Sequence, residues 1–522
     1  MTPWKGVAAL FLFAGLASAS QTFEISPTGE QFTSSDDSYN VQLLLALNRV
    51  ARKKTSPYGK RVAIGWNANV DELVNGVDTV RGAYKSLSKN GERDIPVHPR
   101  DVGMIESLED FIDSFTFWFE KGAAAERFVS SKKLFKRIIK LAEQHSARTE
   151  FKTGGNAALM ATALADLSCK CNVLLGGAVG PQLKVLLSTN IKTVASLTAE
   201  DGGKMASKDA IHLILEYHKG DEWNGAVAPR ANRFIVVHDV YNSRIQGLEP
   251  MGPIVQQESQ EHGPFDVFIA SGLNQLESLP PSGRDERLAA VGKGLKAVDT
   301  KTPIHLEFAS MTDRVFLKKM FDDLTVFANS FGCNEEELAM LYEALGGEYE
   351  DEDGETGTHG STFKKSMLTG KVPEPRAVSL ALSYVMHYAD THVDGWANRR
   401  ITRVHFHSLA FHIIAIRLNS NSRHWTTMMD SAVAQGAVTA ATKACGMDLK
   451  SFKSEHIEAI APMSFEVASG DFVQIGLKEP VGVWAEGRHR FFFAPVLVCK
   501  KPKNTVGLGD AISSNGLAYS LP

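Results

Sequence analysis

Short apolar runs alternate with segments of helical period along most of the chain. The runs at 62–65, 173–177, 211–216, 233–237, 267–270, 304–308 and 325–328 read as strands, as does 403–407, and 491–498 is a further apolar run. Apolar residues at helical spacing predict helices over 41–50, 111–119, 134–141, 157–167, 431–444 and 511–517. This alternation predicts an α/β protein with a mostly parallel sheet covered on both faces. Polar turns, 66–71 and 151–156 among them, fall between these elements. Ligands bind at the carboxyl edge of such sheets.

The chain has 522 residues and a formal charge of −4. That length carries a large core, and the charge argues against a dedicated nucleic-acid binder. Lys5, the apolar stretch 6–16 and Ala17-Ser18-Ala19 have the layout of a secretory signal, so 1–19 reads as a signal peptide and 20–40 as a mobile leader. No later segment reads as a membrane span. Glu348 to Glu355 holds six acidic residues, and 346–361 reads as a solvated, mobile loop.

Several stretches carry candidate chemistry. Gly507-Leu508-Gly509-Asp510 enters a helix, whose start favours negative charge. It reads either as a capped turn or as a phosphoryl cradle with a carboxylate base. Asn67, Asn69 and Asp71 suit sugar hydroxyls or an Asx turn. Gly154-Gly155-Asn156 opens a helix as a plain cap or a close approach to ligand. His305 and Glu307 share a strand face, and Asn334 and Glu337 lie one helical turn apart; oxygen ligands of this kind suit Mg²⁺. Arg230 and Arg233 are candidate phosphate ligands. His405 and His407 share a face without a further zinc ligand. No P-loop motif is present.

Together these stretches resemble the ADP-dependent glucokinases, sugar kinases with a ribokinase-like fold. The resemblance rests on Gly65 to Asp71, Thr153 to Ala157, Ala228 to Phe234, His305 to Glu307, Asn334 to Glu337, Arg403 to Ser408 and Gly507 to Asp510, and it spans the mature chain. It implies a three-layer α/β/α large domain with a smaller α+β lid. Within a kinase domain of 41–522, the lid would comprise roughly 72–148 and 206–240. The implied reaction moves the β-phosphoryl of ADP to the 6-hydroxyl of glucose, with one Mg²⁺. Asp510 would be the base, and Glu307 and Glu337, with Asp510, would organise the metal, largely through water. Asn67, Asp71, Gly155, Asn156 and His212 would meet glucose, and so would Glu126, with Glu120 as the alternative. Arg230 or Arg233 would meet phosphates, and His407, Ser408, Val498, Gly507 and Gly509 would line the nucleotide.

The alternatives are ADP-dependent phosphofructokinase, an ATP-dependent ribokinase-type enzyme, and a non-catalytic luminal binding protein. The leader fits the animal members, in the endoplasmic reticulum lumen or secreted, and the chain is expected as a monomer. Of the cysteines at 169, 171, 333, 445 and 499, Cys445 and Cys499 are the expected disulfide, both near the nucleotide side of the implied fold. The alternative is five reduced thiols.

Overall fold

The structure, a computed structural model, describes residues 37–53, 58–88, 95–123, 125–166, 171–194, 209–229, 231–309, 311, 313–347, 372–418, 424–503 and 506–522. The expected signal, the leader up to residue 36, the acidic run from 348, Cys169 and Arg230 lie outside these. Residues 37–40 already belong to the helix Asp37–Ala51.

A ten-stranded sheet forms the centre of the larger part. Its parallel portion runs Arg403–His407, Ser330–Cys333, Ile304–Glu307, Val267–Ser271, Arg61–Trp66, Asn172–Gly177 and Ile191–Thr193. Three antiparallel strands, Phe411–Arg417, His489–Pro495 and Gly482–Glu486, extend one edge. Side chains alternate between two cores, as strand geometry requires. Val62, Ile64, Val267 and Ile269 pack on one side, and Ala63, Phe268 and Ala270 on the other. Helices cover both faces: Asn156–Asp166 lies on the first side, and Leu248–His262 and Pro281–Lys296 on the second.

A second, six-stranded sheet orders Met104–Ile105, Ala125–Val129, Asn232–Val237, Ile211–Tyr217, Asn69–Asn75 and Thr149–Gly154. One face is apolar. Leu213, Leu215, Phe234 and Val236 pack there against Phe111, Phe115 and Phe119 of the helix Leu108–Lys121. Ser107 starts that helix by accepting from the Asp110 amide, and Gly122 ends it in the left-handed conformation. The intervening strand positions, including Asp71, His212 and Arg233, point away from this core.

Three sequence expectations differ from the structure. Residues 325–328 are not a strand. Phe316, Leu317, Met320, Phe321 and Leu324 continue a helical face to Thr325, whose hydroxyl donates to the Phe321 carbonyl at 2.6 Å. The strand is Ser330–Cys333 instead. The turns at 66–71 and 151–156 are mostly strand, because Asn69–Asn75 and Thr149–Gly154 pair antiparallel in the smaller sheet. The chain therefore passes between the sheets at Asn67-Ala68 and at Gly155, where turns alone were expected.

Candidate active site

The crossings between the two sheets lie side by side. The Asn242 side chain accepts from the Ala68 amide and donates to the Ala68 carbonyl, both at 3.1 Å. The Ala158 amide donates to the Asn67 carbonyl at 3.2 Å. Gly155 has φ +84, and a Cβ there would sit 2.7 Å from the Asn67 carbonyl oxygen, so only glycine fits between the two crossing strands. Asn67 Nδ2 then donates to Asn156 Oδ1 at 3.3 Å, and Asn156 Nδ2 donates to Asp510 Oδ1 at 3.0 Å. A chain of three side chains thus links the sheet crossing to the C-terminal helix.

That helix, Leu508–Ser520, starts from Gly507 at φ +64, with Asp510 in its first turn. Asp510 is not the cap residue. Lys443 Nζ donates to the Gly507 carbonyl at 3.2 Å. Burial raises Asp510 to about 6, the Glu307 charge adds to this, and the Asn156 bond, Lys443 and His407 oppose it. The result is a carboxylate whose proton affinity lies near neutrality, as a general base requires.

Glu307 is held differently. His305 Nε2 lies 2.9 Å from Oε2, Ser513 Oγ donates to Oε2 at 2.6 Å, and His407 Nε2 lies 3.0 Å from Oε1. Burial works upward on this carboxyl, but the two histidines bring it down to about 2. Glu337 and Asn334 form a capping box, with Asn334 N and Nδ2 donating to the two Glu337 oxygens at 2.8 and 2.9 Å. Burial pushes Glu337 well above the usual carboxyl range, and Glu307, Glu336 and Asp510 add repulsion. Among the described residues, no three His, Cys, Asp or Glu side chains group closely enough to hold a metal ion directly. The acids crowd negative charge together while their oxygens are already bonded to protein. That donor set fits a cation held through its own waters.

On the smaller sheet, Asp71 accepts from Asn69 Nδ2 at 2.7 Å. Burial raises it to about 6, and the charges of His212, Arg233 and Glu126 all act on it. His212 stands beside Asp239, with Nε2 to Oδ2 at 3.1 Å. Burial works against the charged ring, but Asp239, Glu126 and Asp71 raise it to about 9. Asp71, Glu126, His212 and Arg233 are therefore one electrostatic cluster. Glu120 is exposed on the helix Leu108–Lys121, away from it. The Asn67 and Asn69 Oδ1 atoms are buried without a hydrogen-bond partner among the described residues. Such atoms are costly unless something else satisfies them.

The remaining nucleotide-side candidates lie on several elements. Gly509 packs by His407, where a Cβ would come 3.4 Å from the ring. The Ser408 hydroxyl is engaged in its own turn, bonding Ala410 N, Phe411 N and Phe411 O. Val498 is half-buried on the strand Leu497–Cys499, opposite Glu458. Cys499 is bonded to Cys445, with Cα atoms 5.5 Å apart. Cys333 is a buried thiol. Sequence reading gave no role to Asp239, Lys443 and Ser513, and Arg403 entered it only as the first residue of a stretch. Their partners His212, Gly507, Glu307 and Ser520 are distant in the chain.

The family model for the ADP-specific phosphofructokinase/glucokinase conserved region matches residues 60–519. An ADP-dependent glucokinase of Bos taurus is 35% identical over 88% of this chain and 84% of its own. A probable ADP-dependent glucokinase of Caenorhabditis elegans is 29% identical over 92% and 90%. Among solved structures, a hypothetical ADP-dependent phosphofructokinase from Pyrococcus horikoshii superposes with a TM-score of 0.62 at 18% identity. It covers 89% of this chain and 98% of that one. At that identity the likeness speaks for the fold.

Proposed function

The chain belongs to the ADP-specific phosphofructokinase/glucokinase family, and from that premise we propose that it is an ADP-dependent glucokinase, moving the β-phosphoryl of ADP to the 6-hydroxyl of D-glucose and releasing AMP and glucose 6-phosphate. The observation that carries the reading is the bridge Asn67–Asn156–Asp510. It supports the reading because Asp510, a carboxylate raised to about 6, stands beside the crossing of the two sheets. One Asp510 oxygen is held by Asn156, and the other is left to take the 6-hydroxyl proton as the oxygen attacks phosphorus. The helix start behind Gly507 supplies backbone N–H groups and a dipole for the phosphoryl oxygens. Phosphoryl transfer asks a protein chiefly for such positioning and charge.

Glucose lies, in this reading, against Asn67, Asp71, Glu126, Gly155, Asn156 and His212. The unpartnered Asn67 and Asn69 oxygens are acceptors for its hydroxyls. The similarity to ADP-dependent glucokinases favours glucose over fructose 6-phosphate as the acceptor. Arg230 or Arg233 meets the phosphates; Arg233 stands on the face that carries Asp71 and His212. His407, Ser408, Val498, Gly507 and Gly509 border the nucleotide. Mg²⁺, when bound, would neutralise phosphate charge, with Glu307 and Glu337 holding it through its waters.

From the signal-like leader we further propose a luminal or secreted location, and the chain is proposed to act as a monomer. The bonded Cys445–Cys499 pair supports an oxidising compartment. No helix among the described residues is long and apolar enough to cross a membrane.

The test is a coupled assay for glucose 6-phosphate, supplied first with ADP and then with ATP, alongside fructose 6-phosphate as acceptor. ADP with glucose should give turnover and AMP. Much faster turnover with ATP, or with fructose 6-phosphate, would replace this reading.

A further inference from the structure

The helix that carries Asp510 presents one face to the large sheet. Gly509, Ser513, Gly516 and Ser520 are spaced i, i+4, i+7 and i+11, which places them in one stripe. Each meets a particular polar side chain. A Cβ at Gly509 would lie 3.4 Å from the His407 ring, and one at Gly516 would lie 2.7 Å from the His405 ring. Ser513 Oγ donates to Glu307 Oε2 at 2.6 Å, and Ser520 Oγ accepts from Arg403 Nε at 3.0 Å. His407, His405 and Arg403 are alternate residues of one strand and face the same way. The small stripe is therefore matched position by position to a polar row on the sheet.

The hydrogen bonds form a chain whose two ends, Ser513 and Ser520, are joined through the backbone of their helix. Arg403 Nη1 donates to Ser330 Oγ at 3.1 Å. Ser330 Oγ lies 2.9 Å from His305 Nδ1, and His305 Nε2 lies 2.9 Å from Glu307. An ionised Glu307 only accepts, so His305 carries its proton on Nε2, and Ser330 donates to Nδ1. Ser520 donates its own proton to the Gly516 carbonyl at 2.7 Å, which leaves a lone pair for Arg403. Glu307, His305, Ser330, Arg403, Ser513 and Ser520 are all buried. Arg403 Nη2 is left without a partner among the described residues. If the helix turned or slid by one residue, bulk would replace glycine over two imidazoles, and both serine contacts would break.

We propose that Ser513 is a positioning residue which, together with the Arg403–Ser520 contact, fixes the register of the Asp510 helix against Glu307. The inference rests on the preceding functional reading for its effect on turnover. Ser513 touches neither substrate; it acts through the placement of Asp510 and Glu307. Misplacing a reacting group by about 1 Å can cost on the order of 10²-fold in rate.

The experiment uses the full chain produced through the secretory pathway, with Ser513→Ala, the nearly isosteric Ser513→Cys, and Ser520→Ala. Ser513→Ala and Ser513→Cys should each lower kcat about 10-fold to 10²-fold, with KM for ADP and glucose kept within about twofold. Ser520→Ala should do the same more weakly. Hydrogen exchange at the amides of 511–515 should quicken in all three. Wild-type kcat in both Ser513 variants would overturn the inference, and so would a rise in KM matching the fall in kcat. Absence of ADP-dependent turnover in the unmodified protein would instead overturn the functional reading. In that case exchange decides the inference alone: unchanged protection at 511–515 in Ser513→Ala would sink it, and faster exchange would sustain it.

Discussion

Glu307 on the large sheet and Asp71 on the small one are both buried carboxylates, yet they are opposite in character. Glu307 receives three side-chain bonds and is held down to about 2. Asp71 receives one, from Asn69, and is raised to about 6. The first is finished before any substrate arrives. The second sits among acceptors that still lack partners. On the proposed function, Glu307 is machinery satisfied by the protein itself, whereas Asp71 belongs to a sugar position that the substrate would complete. Asp510 stands between them, with one oxygen anchored by Asn156 and its proton affinity near neutrality.

The hardest test of this contrast removes the group between the two regions. Asp510→Ala should lower kcat by about 10² to 10⁴, the range for losing a general base, with KM for glucose little changed. Near-normal turnover in the folded variant would end the assignment. The next largest effect falls on stability of the large-sheet region. Cys445 and Cys499 are 54 residues apart in sequence, and a loop of that size corresponds to roughly 4 kcal/mol in the chain-entropy account. Replacing both with Ala should therefore lower the denaturant midpoint strongly, while glucose affinity of the remaining folded protein stays near normal. Equal damage to glucose binding would show that the two regions are not separable.

The parallel sheet was legible because its strands are short, buried and apolar. Boundaries failed where local preference and tertiary need diverged. Thr325-Val326-Phe327-Ala328 has strand-like residues but closes a helix. The actual strand, Ser-Phe-Gly-Cys at 330–333, contains a glycine that strand preference disfavours. Gly332 is there because the Glu307 carboxylate lies over it, leaving no room for a Cβ. The strand Thr149–Gly154 escaped notice because it is an edge strand, with Glu150, Phe151 and Lys152 largely outside the core. In the candidate site, Asp510 and Asn156 in first helical turns and Glu307 and Asp71 on strands stand in local motifs that the sequence displays. Asp239, Lys443, Arg403 and Ser513 act through neighbours that only the folded chain brings near.

A smaller effect is expected on the incomplete side. Glu126 faces the cluster of Asp71 and His212. If it accepts a sugar hydroxyl, Glu126→Ala should weaken glucose binding by about 1.5 to 3 kcal/mol, as for a hydrogen bond to a charged group. The fall should appear in KM for glucose, with KM for ADP little altered. An unchanged glucose KM would remove Glu126 from the sugar site.

The smallest effect, and the most direct test of the contrast, is the pH dependence of glucose binding. Asp71 has a raised pKa, near 6, so below pH 6 the free protein carries it protonated. A sugar hydroxyl that donates to the carboxylate prefers the ionised form. The apparent glucose Kd should therefore be flat above pH 7 and rise as pH falls through 6, by at most about tenfold per unit, or ~1.4 kcal/mol. Asp510 titrates in the same range, so binding is best measured by calorimetry in an Asp510→Asn background. In buffers of different ionisation enthalpy, binding near pH 6 should release a fraction of one proton. Adding Asp71→Asn should abolish both the slope and the proton release. Glu307 would behave oppositely: with its pKa near 2 it stays ionised throughout this window, and its contribution to stability is lost only as pH falls below about 4.5 towards 2. A glucose affinity independent of pH from 5 to 8 would mean that Asp71 is as complete without substrate as Glu307 is, and the distinction between the two regions would fail.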